Sequence, residues 1–293
     1  MKIAVTGASG LIGTPLVTAL RQDGHDVVRL VRGSAAGPDE RPWDARTLDP
    51  AAIADRDAVV HLAGAGVADH RWTRAYKATV LDSRVQGTTA VARAMAEAGG
   101  PSVLLSASAV GWYGDTGDRL TDETGPSGEG FLADVCRQWE ASTAAAEDAG
   151  VRVAHLRTGI VLSGGGGALK KQALAAKVFL GSPLGSGRQW SSWISLQDEV
   201  DAIRHLLTAD VRGPVNLVGP APVTNAEFTR TLNRVLHRPT IPVGVPAPVL
   251  RLVLGEFADE GVLIGQRLEP AGLRRSGFTF AHRDLESALR ASL

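Results

Sequence analysis

The chain opens on a short apolar run, Ile3 to Val5, breaks at Thr6-Gly7, and resumes apolar positions at Leu11, Ile12 and Leu16 with helical spacing. A short, partly β-branched run without polar alternation is how a strand buried on both faces reads. The pattern therefore predicts a strand, a tight turn and a helix. Similar units follow. Strands are predicted at Asp26 to Arg32, just before Trp43-Asp44, at Asp57 to Gly64, at Ser102 to Ser108 and at Val151 to Arg157. Helices are predicted from about Arg74 to Ala98, with Thr79, Val80, Val85 and Ala92 facing inward, and from Phe131 to Ala149. Strands separated by helices of this length imply right-handed crossovers and a parallel sheet, hence the α/β class.

Beyond Gly159 the rhythm changes. Gly164 to Gly167 are all glycine, and prolines gather at Pro183, Pro214, Pro220, Pro222, Pro239, Pro242, Pro246 and Pro248. A helix start with Thr224 or Asn225 as cap and Glu227 in the first turn stands out within this stretch. The expected organisation is a nucleotide-binding domain over residues 1–160, whose sheet can recruit later segments, and a smaller C-terminal substrate lobe over 161–293. A substrate site belongs between them.

The turn after the first strand holds Gly7, Gly10 and Gly13 at fixed offsets. In such a turn the first glycine reverses the chain, the second lets backbone approach a pyrophosphate, and the third lets helix pack on strand. The helix then aims its free N–H groups and positive dipole end at the phosphates. Gly7, Ser9, Gly10, Leu11, Ile12 and Gly13 are thus the candidate cradle of a dinucleotide in a doubly wound Rossmann sheet. The second strand ends at Arg32-Gly33 with no carboxylate. An enzyme using NAD usually places Asp or Glu there for the ribose 2′-hydroxyl, whereas a guanidinium suits a 2′-phosphate. The expected cofactor is NADP(H); a solvated strand-end arginine is the plainer alternative.

Composition narrows the partners. Lys plus Arg, 31, equals Asp plus Glu, 31, so no net field draws the chain to nucleic acid or an anionic membrane. A small molecule is the expected partner, with oligomeric state left open. The single cysteine, Cys136, excludes an internal disulfide and a multi-cysteine metal site, and fits a reducing cytoplasm. His61, His155 and His205 lack metal-ligand spacing, so they read as packing or surface residues and no metal is expected.

Thr6 to Gly13, Asp57 to Gly64, Ser106 to Ser108 and Leu156-Arg157 resemble the extended short-chain dehydrogenase/reductase superfamily in order and spacing. Leu62 to Ala65 with Arg71-Trp72, Leu81 to Arg84, Ser182 to Trp190, Trp193-Ile194 and Thr224 to Phe228 look like an atypical epimerase-like subgroup with its own C-terminal region. The resemblance implies that Leu62, Ala63 and Gly64 line the adenosine and ribose, and that Ile160 and Val161 contact the nicotinamide amide or else close the core. It places Arg84 where relatives usually carry Asn near the cofactor, where a guanidinium would reach a phosphate. It also implies a Tyr-x-x-x-Lys pair on the helix after the fifth strand, the tyrosine exchanging a proton as hydride moves. Leu132 and Cys136 fall at those two positions, and neither can replace the missing groups.

If redox chemistry survives, its acid is expected from Ser108, at the superfamily's serine position, or from Tyr113; a turn hydroxyl and a packed aromatic are the alternative for both. In the second lobe Lys170, Lys171, Arg188, Gln189, Trp190 and Trp193 form a basic and aromatic set, of which Arg188, Trp190 and Trp193 are the candidate substrate contacts for an acidic or planar ligand. Exposed charge beside core tryptophan is again the alternative. Two functions compete: an NADP-dependent, epimerase-like oxidoreductase with an unusual acid, acting on a small carbonyl or sugar-type metabolite, and an NADPH-binding regulatory or scaffold protein that has lost turnover.

Overall fold

The computed structural model describes residues 1–177 and 181–293. Along its first half run β1 (Lys2–Thr6), α1 (Gly13–Gln22), β2 (Asp26–Arg32), β3 (Glu40–Trp43), β4 (Ala58–His61), α2 (Arg74–Ala98), β5 (Val103–Ala109), α3 (Phe131–Ala141), α4 (Ala144–Asp148) and β6 (Arg152–Thr158). The second half holds β7 (Ile160–Leu162), α5 (Gly167–Lys177), β8 (Trp190–Ser191), β9 (Trp193–Ser195), α6 (Leu196–Thr208), β10 (Gly213–Leu217), β11 (Val223–Thr224), α7 (Asn225–Val235), α8 (Ala247–Leu254), α9 (Ala271–Arg275) and α10 (Leu285–Ser292). Seven strands form one sheet in the order β10-β6-β5-β4-β1-β2-β3, and every pairing in it is parallel. This is a Rossmann-like, doubly wound α/β sheet. Strand order reverses between β1 and β4, which opens a crevice at the carboxyl ends of those strands.

Alternate side chains of the central strands feed two cores. Ile3, Val5, Val60, Leu105 and Leu156 pack with Leu16 and Leu20 of α1 and Ile203 and Leu206 of α6. On the opposite face Ala4, Val28, Val59, Leu104 and Val153 meet Val91 and Met95 of α2. The seventh strand, β10, comes from beyond the expected boundary at residue 160, and so does α6, so the nucleotide-binding half is discontinuous in sequence. A third core joins Leu162, Leu169, Trp193, Phe228, Leu232 and Leu289, all from beyond β6. There α7 starts with Thr224 as its cap, the hydroxyl accepting from Glu227 N at 3.3 Å.

Two expectations shift. The helix expected over 131–149 is split into α3 and α4 around Ser142-Thr143. On α2 the inward stripe is Val80, Arg84, Thr88, Val91 and Met95; Val80 and Ala92 are buried as expected, while Thr79 is exposed and Val85 half-buried. Placing Arg84 on that stripe, 9% exposed, is the feature that the apolar pattern missed.

The end of β4 is fixed by a polar pair inside the sheet. Thr6 Oγ1 accepts from Leu62 N at 3.1 Å and Ala63 N at 3.2 Å, which leaves its proton for His61 Nδ1 at 2.8 Å. The imidazole is fully buried, edge-on to Trp43, and burial pulls its pKa down to about 4, so the ring is neutral. Unfolding returns His61 to its ordinary value of 6.5, so the unfolded state binds the extra proton between pH 6.5 and 4 and stability is lost as pH falls through that window. Urea unfolding across the window will show His61→Asn, which keeps an acceptor for Thr6 but does not titrate, losing about 3 kcal/mol less than the parent chain.

Candidate functional site

The crevice begins at the glycine turn between β1 and α1. Gly7 has φ +65°, and a Cβ there would lie 2.7 Å from the Leu62 carbonyl carbon; one at Gly13 would lie 2.2 Å from Gly7 O. Both positions demand glycine, the first for the turn and the second for the approach of helix to strand. At Gly10 the nearest atom is Gly7 O at 3.2 Å and the residue is exposed, so the chain lies open for a ligand to approach. Among the described residues the Leu11 and Ile12 amides find no hydrogen-bond partner, and α1 has no acid in its first turn. Free amides at a positive helix end suit a diphosphate.

Beside this turn, at the end of β2, Arg32 is exposed and pairs with no carboxylate among the described residues; Gly33 follows at φ +89°. Leu62 and Ala63 are half-buried and Gly64 exposed at the end of β4. Their position at the switch point is where a dinucleotide would lie, and the residues present fit one.

The β5 side has the opposite character. Leu132 and Cys136 close directly on the short 3-10 turn after β5: a Cβ on Gly111 would lie 3.3 Å from Leu132 Cβ and 3.6 Å from Cys136 Sγ. The thiol donates to Ala109 O at 3.6 Å, and burial pushes its pKa up to about 12, so no thiolate forms at neutral pH. Leu132 N donates to Glu260 Oε2 at 2.9 Å, which ties the start of α3 to the C-terminal lobe.

Ser108 and Tyr113, expected as replacement acids, are both committed elsewhere. Ser108 Oγ donates to Glu140 Oε1 at 2.7 Å. Glu140 in turn takes a two-pronged contact from Arg157, Nε to Oε1 and Nη2 to Oε2, each 2.8 Å. Arg157 Nη1 donates to the Tyr113 oxygen at 3.0 Å, the phenol donates to Asn216 Oδ1 at 2.7 Å, and the guanidinium lies 3.9 Å over the Trp112 ring. Both hydroxyls are nearly sealed from solvent, and burial raises the Tyr113 pKa. In this arrangement both hydroxyl protons are spent inside the network, on Glu140 and Asn216. Sequence reasoning had no means of finding this network, because nothing local pairs Glu140 with an arginine 17 residues on.

Two clefts border the crevice. The larger, about 1030 Å³, lies between α1 and α6 and reaches Ser9, Gly10 and Leu11, but not Arg32, Gly64 or Arg84. The smaller, about 370 Å³, sits beside Leu132 and is lined by Gly111, Tyr113, Asp115, Arg119, Glu129 and Glu260 among others. The residues expected to contact substrate do not line it. Trp193 is 1% exposed, its Nε1 held by Ala221 O at 2.8 Å, so it is core and not a ligand surface. Trp190 is half-buried under Arg267 with its Nε1 on Asp118 Oδ1 at 2.7 Å, and Arg188 is exposed outside the cleft. Lys170 and Lys171 are exposed on α5, and Gln189 Nε2 is spent on Leu184 O at 2.9 Å. Ile160 and Val161, in β7, are half-buried and pair with β9. The described residues contain no group of three metal-ligating side chains.

Glu199 was not singled out by the sequence. It is fully buried, accepts from Thr158 Oγ1 at 2.9 Å, and burial pushes its pKa up to about 8, so it is largely protonated at neutral pH. An acid in the first turn of a helix reads as a solvated dipole partner, which hides such a residue.

Comparison with known proteins decides the ancestry. Residues 3–219 match the NAD dependent epimerase/dehydratase family, and residues 245–292 match a domain of unknown function, DUF1731. The chain belongs to the NAD dependent epimerase/dehydratase family. An epimerase family protein of Mycobacterium bovis is 48% identical over 98% of this chain and 96% of its own length. The epimerase family protein SDR39U1 of Bos taurus is 34% identical over 99% of both chains. The crystal structure of human epimerase family protein SDR39U1 with NADPH superposes with a TM-score of 0.91 at 32% identity, covering 100% of this chain and 99% of that one. A nucleoside-diphosphate sugar epimerase from Corynebacterium glutamicum gives a TM-score of 0.83 at 37% identity, covering 100% of this chain and 58% of that one. This epimerase-family chain therefore has the SDR39U1-type fold with an NAD(P)-binding crevice, and it lacks the tyrosine and lysine of the wider superfamily.

If Tyr113 is structural, Tyr113→Phe will lower unfolding stability by about 1–3 kcal/mol, because Asn216 loses its donor and Arg157 an acceptor, while the affinity for NADPH stays unchanged. Urea unfolding and a fluorescence titration on the same sample measure the two effects.

Proposed function

We propose that the chain binds NADP(H) and acts as an epimerase-like oxidoreductase on a small carbonyl or sugar-type metabolite held in the cleft beside Leu132. The observation that carries this reading is Arg32, an exposed guanidinium at the end of β2 with no carboxylate partner among the described residues, beside a glycine turn whose Leu11 and Ile12 amides are likewise without one. The bovine and human relatives of the SDR39U1 type support it, the human one by the NADPH in its crystal structure.

In this reading the Leu11 and Ile12 amides bind the diphosphate, Arg32 takes the 2′-phosphate, and Leu62 to Gly64 line the adenosine and ribose side. The bound nicotinamide supplies or accepts hydride. Leu132 and Gly111 give one wall of the cleft an apolar face, and the exposed carboxylates of Asp115 and Glu129 in its lining are the groups that would exchange the accompanying proton with solvent. The chain's partner is a small molecule in the cytoplasm, which its even charge balance favours. Among the described residues no helix is long and apolar enough to cross a membrane.

A second reading, an NADPH-binding regulatory or scaffold protein without turnover, is favoured by one observation: Ser108 and Tyr113 have no proton free for a substrate. NADPH fluorescence on titration, followed by a screen of carbonyl substrates for cofactor oxidation, separates the two; tight binding with no oxidation supports the second. Arg32→Ala will weaken NADPH binding by about 10- to 100-fold and leave the weaker NADH binding nearly unchanged, since a charge-assisted contact of about 1.5–3 kcal/mol is lost only for the phosphorylated form. Equal affinity of the parent chain for NADPH and NADH would remove Arg32 from the argument.

A further inference from the structure

Arg84 and Arg157 are both buried arginines, yet only one has a counter-ion. Arg157 is 2% exposed and holds Glu140 through two contacts. Arg84, 9% exposed on the inward stripe of α2, has no carboxylate partner among the described residues. Its Nη1 donates to Ala65 O at 2.9 Å and Val80 O at 3.0 Å, and its Cζ lies 4.8 Å over the Trp139 ring. Neither Nε nor Nη2 has a hydrogen bond among the described residues, and neither is fully enclosed, so both keep some contact with solvent. A guanidinium held in apolar surroundings without a counter-charge is costly to keep. Its two open donors make sense where a ligand rich in acceptors completes the shell.

Topology says which part of a ligand that is. A dinucleotide crosses the switch point, with one mononucleotide half over β1 and β2 and the other over β4 and β5. Arg32 stands at the β2 end. Arg84 stands at the other: a Cβ on Gly64, just after β4, would lie 3.5 Å from Arg84 Cζ, and Trp139 beneath it belongs to α3, which follows β5.

Building on the NADP(H) reading, we propose that Arg84 is a positioning residue for the nicotinamide half, donating from Nε and Nη2 to the hydroxyls of the nicotinamide ribose. Its stacking on Trp139 and its Nη1 contacts fix the fork, so those two donors meet the sugar with little further ordering.

The test compares two probes on the parent chain, Arg84→Met and Arg84→Lys: NADPH, and 2′-phosphoadenosine 5′-diphosphate, which carries every phosphate of the adenosine half and the bridging diphosphate but no second sugar. Calorimetry will show Arg84→Met weakening NADPH about tenfold or more while the truncated probe stays within about twofold. Arg84→Lys, charged but without the planar fork, will fall between. Equal loss for both probes in a variant whose melting curve shows it folded would place Arg84 on the phosphates and overturn the proposal, as would no loss for either. If Arg84→Met does not fold, the Arg84→Lys contrast between the two probes decides. A parent chain that binds neither probe defeats the cofactor reading itself, a result distinct from a failure at Arg84.

Discussion

The contact between Glu140 and Arg157 is the one on which the rest of the site depends. It joins α3 to β6, and through Ser108, Tyr113 and Asn216 it reaches β5, the turn after it and β10. Asn216 then passes the link on, its Nδ2 donating to Glu269 O at 3.0 Å and its backbone N to Glu123 Oε1 at 3.1 Å, an oxygen that also accepts from Gly272 N at 2.8 Å. A buried charge pair of this kind contributes little net stability over an apolar replacement, but losing one member leaves the other uncompensated. Its value here is geometric: it sets where α3 lies against the sheet, and hence where Leu132, Cys136 and Trp139 face the crevice.

The crevice is built from two unlike halves. On the β1 and β2 side, amides and a cation that have no partner among the described residues stand at the surface, a surface suited to an anion. On the β5 side, side chains that would transfer protons in the wider superfamily are replaced by a leucine and a neutral thiol that close on Gly111 at van der Waals contact. Between the two lies the neutral pair Thr6 and His61, which fixes the Leu62 and Ala63 amides without placing a charge under the ligand.

Much of this was legible in the sequence, and the parts that were not share a cause. The parallel sheet, the glycine turn and the strand ends follow from local periodicity and from residues whose backbone demands are unusual, so β1 to β6 could be placed from the chain alone. The burial of Arg84 and Glu199 and the pairing of Glu140 with Arg157 could not. These are charged residues in buried positions, and hydrophobic patterning assigns charged residues to solvent unless a distant partner is known. Trp193 misled in the opposite sense: a tryptophan near basic residues suggests a ligand surface, yet its indole finds its hydrogen bond on Ala221 O inside the smaller core.

The recruitment of β10 bears on how the molecule is made. Until Gly213 to Leu217 leave the ribosome, β6 presents a bare, hydrogen-bond-hungry margin, and the downstream stretch must be synthesised before that margin is covered. Completion of the sheet therefore waits for part of the second half of the chain, so its last edge is closed only late in synthesis.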